Sequence, residues 1–256
     1  MKPATTITKV CRVLGEFRTR SHIGVTELAH KTDLLPSDVH RILTSLQSYG
    51  FVEQNRQNKT YHLGTGLLKL GLAAIQQTKL REVALPLLRK LSEQTEAASY
   101  LAIFDRRDLD IFLAGQIHAG EALPFKSKLG MITSAHGTAL GKTIMANVDR
   151  ETVLSVLRKH GMPKCTPHTI TRLSDFDEEL KKINSRGYGL DLEESASGGC
   201  CLAASVRDAT GAVAGAISIS MPAHRFYSSA ESYLASQVKL AAAEISNSVG
   251  YGSSRH

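Results

Sequence analysis

Between residues 36 and 48 the chain sets Ser37, Asp38, His40, Arg41, Thr44 and Ser45 on one face of a helical pattern. Val39, Ile42, Leu43 and Leu46 occupy the other face at i, i+3, i+4 and i+7. Short polar side chains let a helix sit against base edges and phosphates, and Arg41 is a candidate DNA contact that could instead serve as a local ion-pair partner or a phosphate anchor. Asp38 is the exception: an acidic group there repels phosphate or accepts from a cytosine amino group. Further on, Asn55-Arg56-Gln57-Asn58-Lys59 forms a polar, basic tip whose Arg56 and Lys59 suit phosphate better than base readout. An isolated helix with a polar face is most often only solvated, so the surroundings must decide.

Signals for enzyme chemistry fail on spacing. Gly137-Thr138-Ala139-Leu140-Gly141-Lys142-Thr143 imitates a phosphate-binding loop, but its first glycine is one residue too close to Gly141-Lys142. His118, His136, His160 and His168 form no i, i+4 pair, and Cys11, Cys165, Cys200 and Cys201 have no metal-ligand spacing. Asp191 and Glu193 merely repeat one face of a strand and lack the asymmetry of an acid/base pair. No catalytic residue, metal or cofactor is expected.

The formal net charge of +7 is compatible with a polyanionic partner. Residues 1–62 hold nine Lys and Arg against five Asp and Glu, and the rest holds 22 against 19, so the N-terminal quarter is the more basic per residue. The absence of Trp and an aromatic content of only 5% argue against stacking platforms for single-stranded nucleic acid. It has no apolar run of membrane-spanning length, no signal-peptide core at its start and no cysteine framework. A cytoplasmic protein is expected.

The elements that must position these groups follow from periodicity and punctuation. Helices are expected at about Thr6–Thr19, with Ile7, Val10, Cys11, Leu14 and Phe17 inward, then at Val25–Thr32 and Pro36–Ser48. Gly50 is available for a left-handed residue after the third helix. Phe51–Gln54 and Thr60–Leu63 read as a hairpin, completing the outline of a winged helix-turn-helix over residues 1–63. A linker helix rich in Leu, Gly and Ala follows at 64–78, its small residues permitting close pairing with a partner chain. Residues 79–250 alternate: a helix at Leu80–Thr95 with Pro86 tolerated near its first turn or at a kink, strands at Ala98–Phe104, Leu109–Ile117 and Leu123–Ser127, and helices at Ala135–Asn147, Arg150–His160 and Ser174–Arg186. Strands at Tyr188–Leu192, Cys201–Arg207 and Ala214–Ser220 precede a last helix at Ser228–Val249. This order predicts an α+β domain, an antiparallel sheet covered by helices.

Three separated blocks resemble one family. The first is Val25-Thr26-Glu27-Leu28-Ala29, continued by Ser37-Asp38-Val39-His40-Arg41-Ile42-Leu43, Leu46-Gln47-Ser48-Tyr49-Gly50-Phe51-Val52 and Tyr61-His62-Leu63-Gly64. The second is Ala135-His136-Gly137-Thr138-Ala139-Leu140-Gly141-Lys142. The third is Gly187-Tyr188-Gly189-Leu190-Asp191-Leu192-Glu193-Glu194 with Gly198, Cys201–Asp208, Gly211 and Ala216–Ser220. Together, in colinear order over roughly residues 6–248, they resemble the IclR family of bacterial transcriptional regulators. The chain departs from that pattern at Asp33, where the family usually has Gly, at Pro36, which is shifted by one, and at Asp38, which replaces a small hydroxyl residue.

The resemblance implies a GAF-like effector-binding domain, double-stranded operator DNA as partner, and a homodimer or homotetramer. It places a small effector against Asp191, Cys201, Ser218 and Ser220, with backbone N–H groups from Ala139 and Leu140. The chemistry is coherent: Ser218 and Ser220 share one face of a strand, and a helix opening near Gly137–Leu140 presents N–H groups to a carboxylate. Asp191 suits a ligand hydroxyl or a bridging water. Cys200 faces the other way and carries no expected role; Glu193 and Glu194 are expected at the surface or between subunits.

Overall fold

The protein is described by a computed structural model that covers residues 5–18, 20–76, 78–106, 110–123, 130–131 and 134–252. It separates into two compact units, with the division after position 77.

In the first unit three helices, α1 (Thr5–Glu16), α2 (Val25–Thr32) and α3 (Pro36–Ser48), pack around a shared core. Val13, Phe17, Leu28, Val39, Leu43 and Leu46 fill it, together with Ile23, Val52 and Tyr61. Each such buried side chain contributes about 1.5–3 kcal/mol. Asp33 ends α2 in the left-handed region, φ 53°, and its N–H bonds to Ala29 O. Asp adopts that conformation more readily than most residues, which is why it can stand where a glycine is usual. Pro36 opens α3 at its first turn, where a missing N–H is harmless. Gly50, φ 67°, turns the chain into a two-stranded wing, β1 (Val52–Gln54) and β2 (Tyr61–Leu63), with Val52 opposite Leu63. The helix α4 (Thr65–Gln76) follows.

The second unit is built on a six-stranded antiparallel sheet. Its strands are β3 (Ala98–Asp105), β4 (Asp110–Ile117), β5 (Gly130–Met131), β6 (Gly189–Leu192), β7 (Gly199–Arg207) and β8 (Val213–Pro222), in the order β5-β4-β3-β8-β7-β6. One face carries Leu101, Cys200, Leu202, Ile217, Ile219 and Met221 against α5 (Lys79–Thr95) and α10 (Glu231–Ser248). The other carries Ala98, Tyr100, Ala102, Ala203 and Ala216 against the short helix α6 (Ala139–Met145). Beside them α7 (Arg150–His160) and α8 (Leu173–Arg186) build a smaller core around Phe176, Leu180 and Ile183.

Several boundaries differ from the sequence expectation. The expected strand at Leu123–Ser127 falls mostly outside the described residues; Leu123 itself is not in a strand, and the edge strand is β5. The helix expected from Ala135 opens as a 3-10 turn, Ala135–Gly137, and α6 begins only at Ala139, because the Thr138 hydroxyl accepts from Gly141 N–H and caps it there. The last helix, expected at Ser228–Val249, is α10 at Glu231–Ser248, and a short helix not read from the sequence, α9 (Ala223–Ser228), precedes it across the extended Ser229 and Ala230. Pro86 lies in the middle of α5 rather than in its first turn.

Candidate functional site

On α3, Ser37, His40, Arg41, Thr44 and Ser45 are exposed, as are Arg56 and Lys59 on the wing. The hydroxyls of Thr44 and Ser45 donate to His40 O and Arg41 O of their own helix, which leaves their oxygens as acceptors. Asn55 and Asn58 shape the wing tip: Asn55 Oδ1 accepts from Gln57 N–H at 2.9 Å, and Asn58 Oδ1 from Thr60 N–H at 3.1 Å. Lys59 is held there at φ 58°. Asp38 departs from this outward set. Its Oδ2 accepts from Lys9 Nζ of α1 at 2.7 Å, and its Oδ1 from Arg41 Nη2 at 3.2 Å. The Lys9 hydrogen bond and charge hold its carboxyl below the usual range.

In the second unit, strand register brings the expected effector residues together. Asp191 lies opposite Cys201, Cys201 opposite Ser220, and Ser220 opposite Ala98, forming one row across the sheet. The adjoining row runs Gly189, Ala203, Ser218, Tyr100, Gln116. Rows two residues apart share a face, and this is the face covered by α6, with Ala139 and Leu140 buried against it. Gly189 is what lets α6 sit so close: a Cβ there would meet Thr143 Oγ1 at 2.3 Å and Ala139 O at 3.0 Å. Ser220 Oγ donates to Cys201 Sγ at 2.9 Å, and burial pushes the Cys201 thiol well up, so it is a neutral thiol. Cys200 packs on the opposite face.

Asp191 is fully buried, and its carboxylate is committed locally. Oδ1 accepts from Glu194 N–H at 2.8 Å and Ser195 N–H at 3.2 Å, while Oδ2 accepts from Ser195 Oγ at 2.5 Å. It therefore shapes the turn after β6. Burial raises its pKa, opposed by those bonds and by Lys142.

Three groups in this region were not read from the sequence as parts of a site. Tyr100 and Gln116 share the Ser218 row, and Gln116 Oε1 is a buried acceptor without a hydrogen-bond partner among the described residues. Alternation along β3 and β4 puts them there, but only the register with β8 reveals it. The third is Lys142, 1% exposed, whose Nζ bonds to Glu194 and lies 3.9 Å from Glu179. Glu194, expected at the surface or between subunits, is instead buried within its own unit, because the turn folds it beneath α6 onto that ammonium. Glu193, the residue before it, is turned the other way at φ 60°, where its Oε2 accepts from Gly198 N–H. The lysine of the imitation phosphate loop is thus spent on an internal ion pair.

His136 stands beside this pair, buried, with Nε2 3.2 Å from Pro163 O. Burial lowers its pKa below 6.5, against the pull of Pro163 and with a smaller push from Lys142. The unfolded chain then binds the proton more tightly than the folded one, so stability from this group is present above about pH 6.5 and lost as pH falls through the folded value. Asp191 and Glu194, both raised by burial, act in the opposite sense but are common to wild type and variant. Between about pH 7.5 and 5.5, wild type is expected to lose more thermal midpoint than His136→Gln. Equal losses in the two proteins would remove His136 as a source.

Among the described residues no helix is long and apolar enough to cross a membrane, and no group of His, Cys, Asp and Glu is placed to hold a metal. A three-helix head with a wing, and a sheet domain with a covered polar face, define a ligand-responsive DNA-binding regulator. Family comparison agrees in both parts: "IclR helix-turn-helix domain" matches residues 6–56, and "Bacterial transcriptional regulator IclR C-terminal" matches residues 72–247. The chain belongs to the IclR family of transcriptional regulators.

Among its relatives is the HTH-type transcriptional regulator KdgR of Dickeya chrysanthemi, 32% identical over 242 residues, which are 94% of this chain and 78% of that protein. The transcriptional repressor IclR of Escherichia coli K12 is 29% identical over 233 residues, 91% of this chain and 84% of that one. The crystal structure of Thermotoga maritima IclR superposes with a TM-score of 0.68 at 27% identity, covering 96% of this chain and 99% of that one. An IclR homologue from Microbacterium hydrocarbonoxydans, crystallised with 4-hydroxybenzoate, shares the fold at TM-score 0.72 and 21% identity, covering 96% and 99%.

Proposed function

We propose that this regulator represses catabolic genes and is released from its operator by a small carboxylate or keto/aldehyde acid, bound between α6 and the sheet. The observation that carries this reading is the convergence of Asp191, Cys201, Ser218 and Ser220 on one face beneath Ala139 and Leu140. The Ser218 hydroxyl offers hydrogen bonds to a ligand, and the neutral Cys201 thiol beside it does not repel a carboxylate. The N–H groups of Ala139 and Leu140 have no acceptor inside α6, since the first N–H groups of a helix never do. The relative that binds 4-hydroxybenzoate, an acid, supports the carboxylate class, and relatives named as repressors support the direction of control.

The proposed DNA contacts are Ser37, His40, Arg41, Thr44 and Ser45 with the wing residues Arg56 and Lys59. One recognition helix reads few base pairs, so a homodimer or a homotetramer of paired heads supplies the specificity. Leu68 and Leu72, one turn apart on α4 and 61% and 50% exposed, support self-association. Effector binding shifts the population between states that hold the heads differently, and operator affinity changes by the effector's differential affinity for those states.

The test is a retardation assay on duplexes from the chain's genomic neighbourhood, followed by a thermal-shift screen of small organic acids. Expected are a complex that weakens steeply with salt as counterions are released and at least one acid that both raises the melting temperature and frees the DNA. An acid that stabilises the protein and tightens the complex would make it a co-repressor system; absence of any retarded duplex at low salt would overturn the DNA-binding reading.

A further inference from the structure

Asp38 stands in the first turn of α3, where an acceptor facing outward reads a base and one facing inward cannot. The structure gives its side chain to the protein. Both carboxylate oxygens are engaged, one by Lys9 Nζ at 2.7 Å and one by Arg41 Nη2 at 3.2 Å. Asp38 is the least exposed of the three, its side chain 22% accessible against 34% for Lys9 and 80% for Arg41. An ion pair of this exposure adds little to folding stability, so its consequence lies in where it puts charge. It draws the ammonium of α1 to the entrance of the recognition helix, beside the exposed Arg41. Two cations then flank one carboxylate, and the cluster stays net positive where a bare aspartate would repel phosphate.

Resting on the reading of α3 as the DNA-facing helix, we propose that Asp38 is a positioning residue and that Lys9, on a helix otherwise assigned only to the core, is a phosphate contact held in place by it. Asp38 then reads no base. Its presence in place of a small hydroxyl residue brings a cation with it and carries no sequence information.

Charge removal alone would mislead, so the decisive variant is the charge-neutral pair Lys9→Met with Asp38→Asn, made in the full-length protein and checked for an unchanged thermal midpoint. Duplexes are selected from a randomised pool by wild type, and binding to the selected and to an arbitrary duplex is followed across a salt series. The double variant is expected to lose affinity for both duplexes, with a slope of log K against log salt shallower by about one, the signature of one lost phosphate contact. Asp38→Asn alone is expected to select the same sequence as wild type. A double variant matching wild type in affinity and slope would overturn the role of Lys9. A changed base preference at one position in Asp38→Asn would make Asp38 a base reader and overturn its positioning role. Wild type binding no duplex would sink the DNA-facing reading itself, a result distinct from either.

Discussion

Lys142→Met is expected to destabilise the effector unit by about 3–5 kcal/mol, the usual penalty for removing one partner of a buried ion pair. Lys142 is 1% exposed and Glu194 7%, so neither charge is hydrated in the folded state. Glu194 Oε2 already lacks a hydrogen-bond partner among the described residues. The ammonium is what opposes the burial and the neighbouring Asp191 charge, both of which raise the Glu194 pKa. Without Lys142 the glutamate must take up a proton or remain charged and uncompensated.

That gives the variant a pH signature. A carboxyl whose folded pKa rises above its unfolded value contributes stability below the unfolded pKa and loses it as pH rises through the folded one. The deficit of Lys142→Met should therefore be full at neutral pH and shrink on acidification. Adding Glu194→Gln removes the orphaned charge and should restore part of the loss, since a buried neutral amide costs less than an uncompensated buried charge. Urea denaturation of the full-length chain measures all three proteins. A single variant within about 1 kcal/mol of wild type, below the buried-pair range, or a double variant no better than the single, would show that the pair is not what holds α6 to the turn after β6.

What was legible beforehand divides along physical lines. The head could be read closely because its signals are local: apolar spacing fixes α2 and α3, Asp33 and Gly50 mark the left-handed turns, and polar residues mark the wing tip. The common face of Ser218 and Ser220 follows from alternation alone. The effector face as a whole does not, because Tyr100 and Gln116 join it only through the pairing of β3 with β8 and β4. Charge was the least legible quantity. Asp38, Lys142 and Glu194 all look solvated in a linear string, and each is turned inward by a partner 29 or 52 residues away. Element ends also resisted, as at Ala135–Thr138, where a side-chain cap overrules a continuous helical pattern.

Asp191→Ala is expected to abolish the effector response while the head still binds DNA, and to do so for a structural reason. The carboxylate serves Glu194 N–H, Ser195 N–H and Ser195 Oγ, so its loss leaves the buried Glu194 N–H unsatisfied at about 1–3 kcal/mol and frees two half-buried Ser195 donors. The turn that carries Glu194 onto Lys142 loosens, and with it the seat of α6 over the sheet. Ser218→Ala separates shape from contact. It removes one hydroxyl from a strand position that is 1% exposed and disturbs no turn. One neutral hydrogen bond is worth about 0.5–1.5 kcal/mol, so roughly two- to tenfold more effector should be needed for release, at an unchanged melting temperature. The measurement is operator release against effector concentration, read beside thermal midpoints, for an acid that stabilises wild type. Ser218→Ala releasing at the wild-type concentration would take that residue out of the pocket. Asp191→Ala with a full response would place the effector somewhere other than beneath α6, because no ligand seated there could ignore the collapse of the turn that holds its lid.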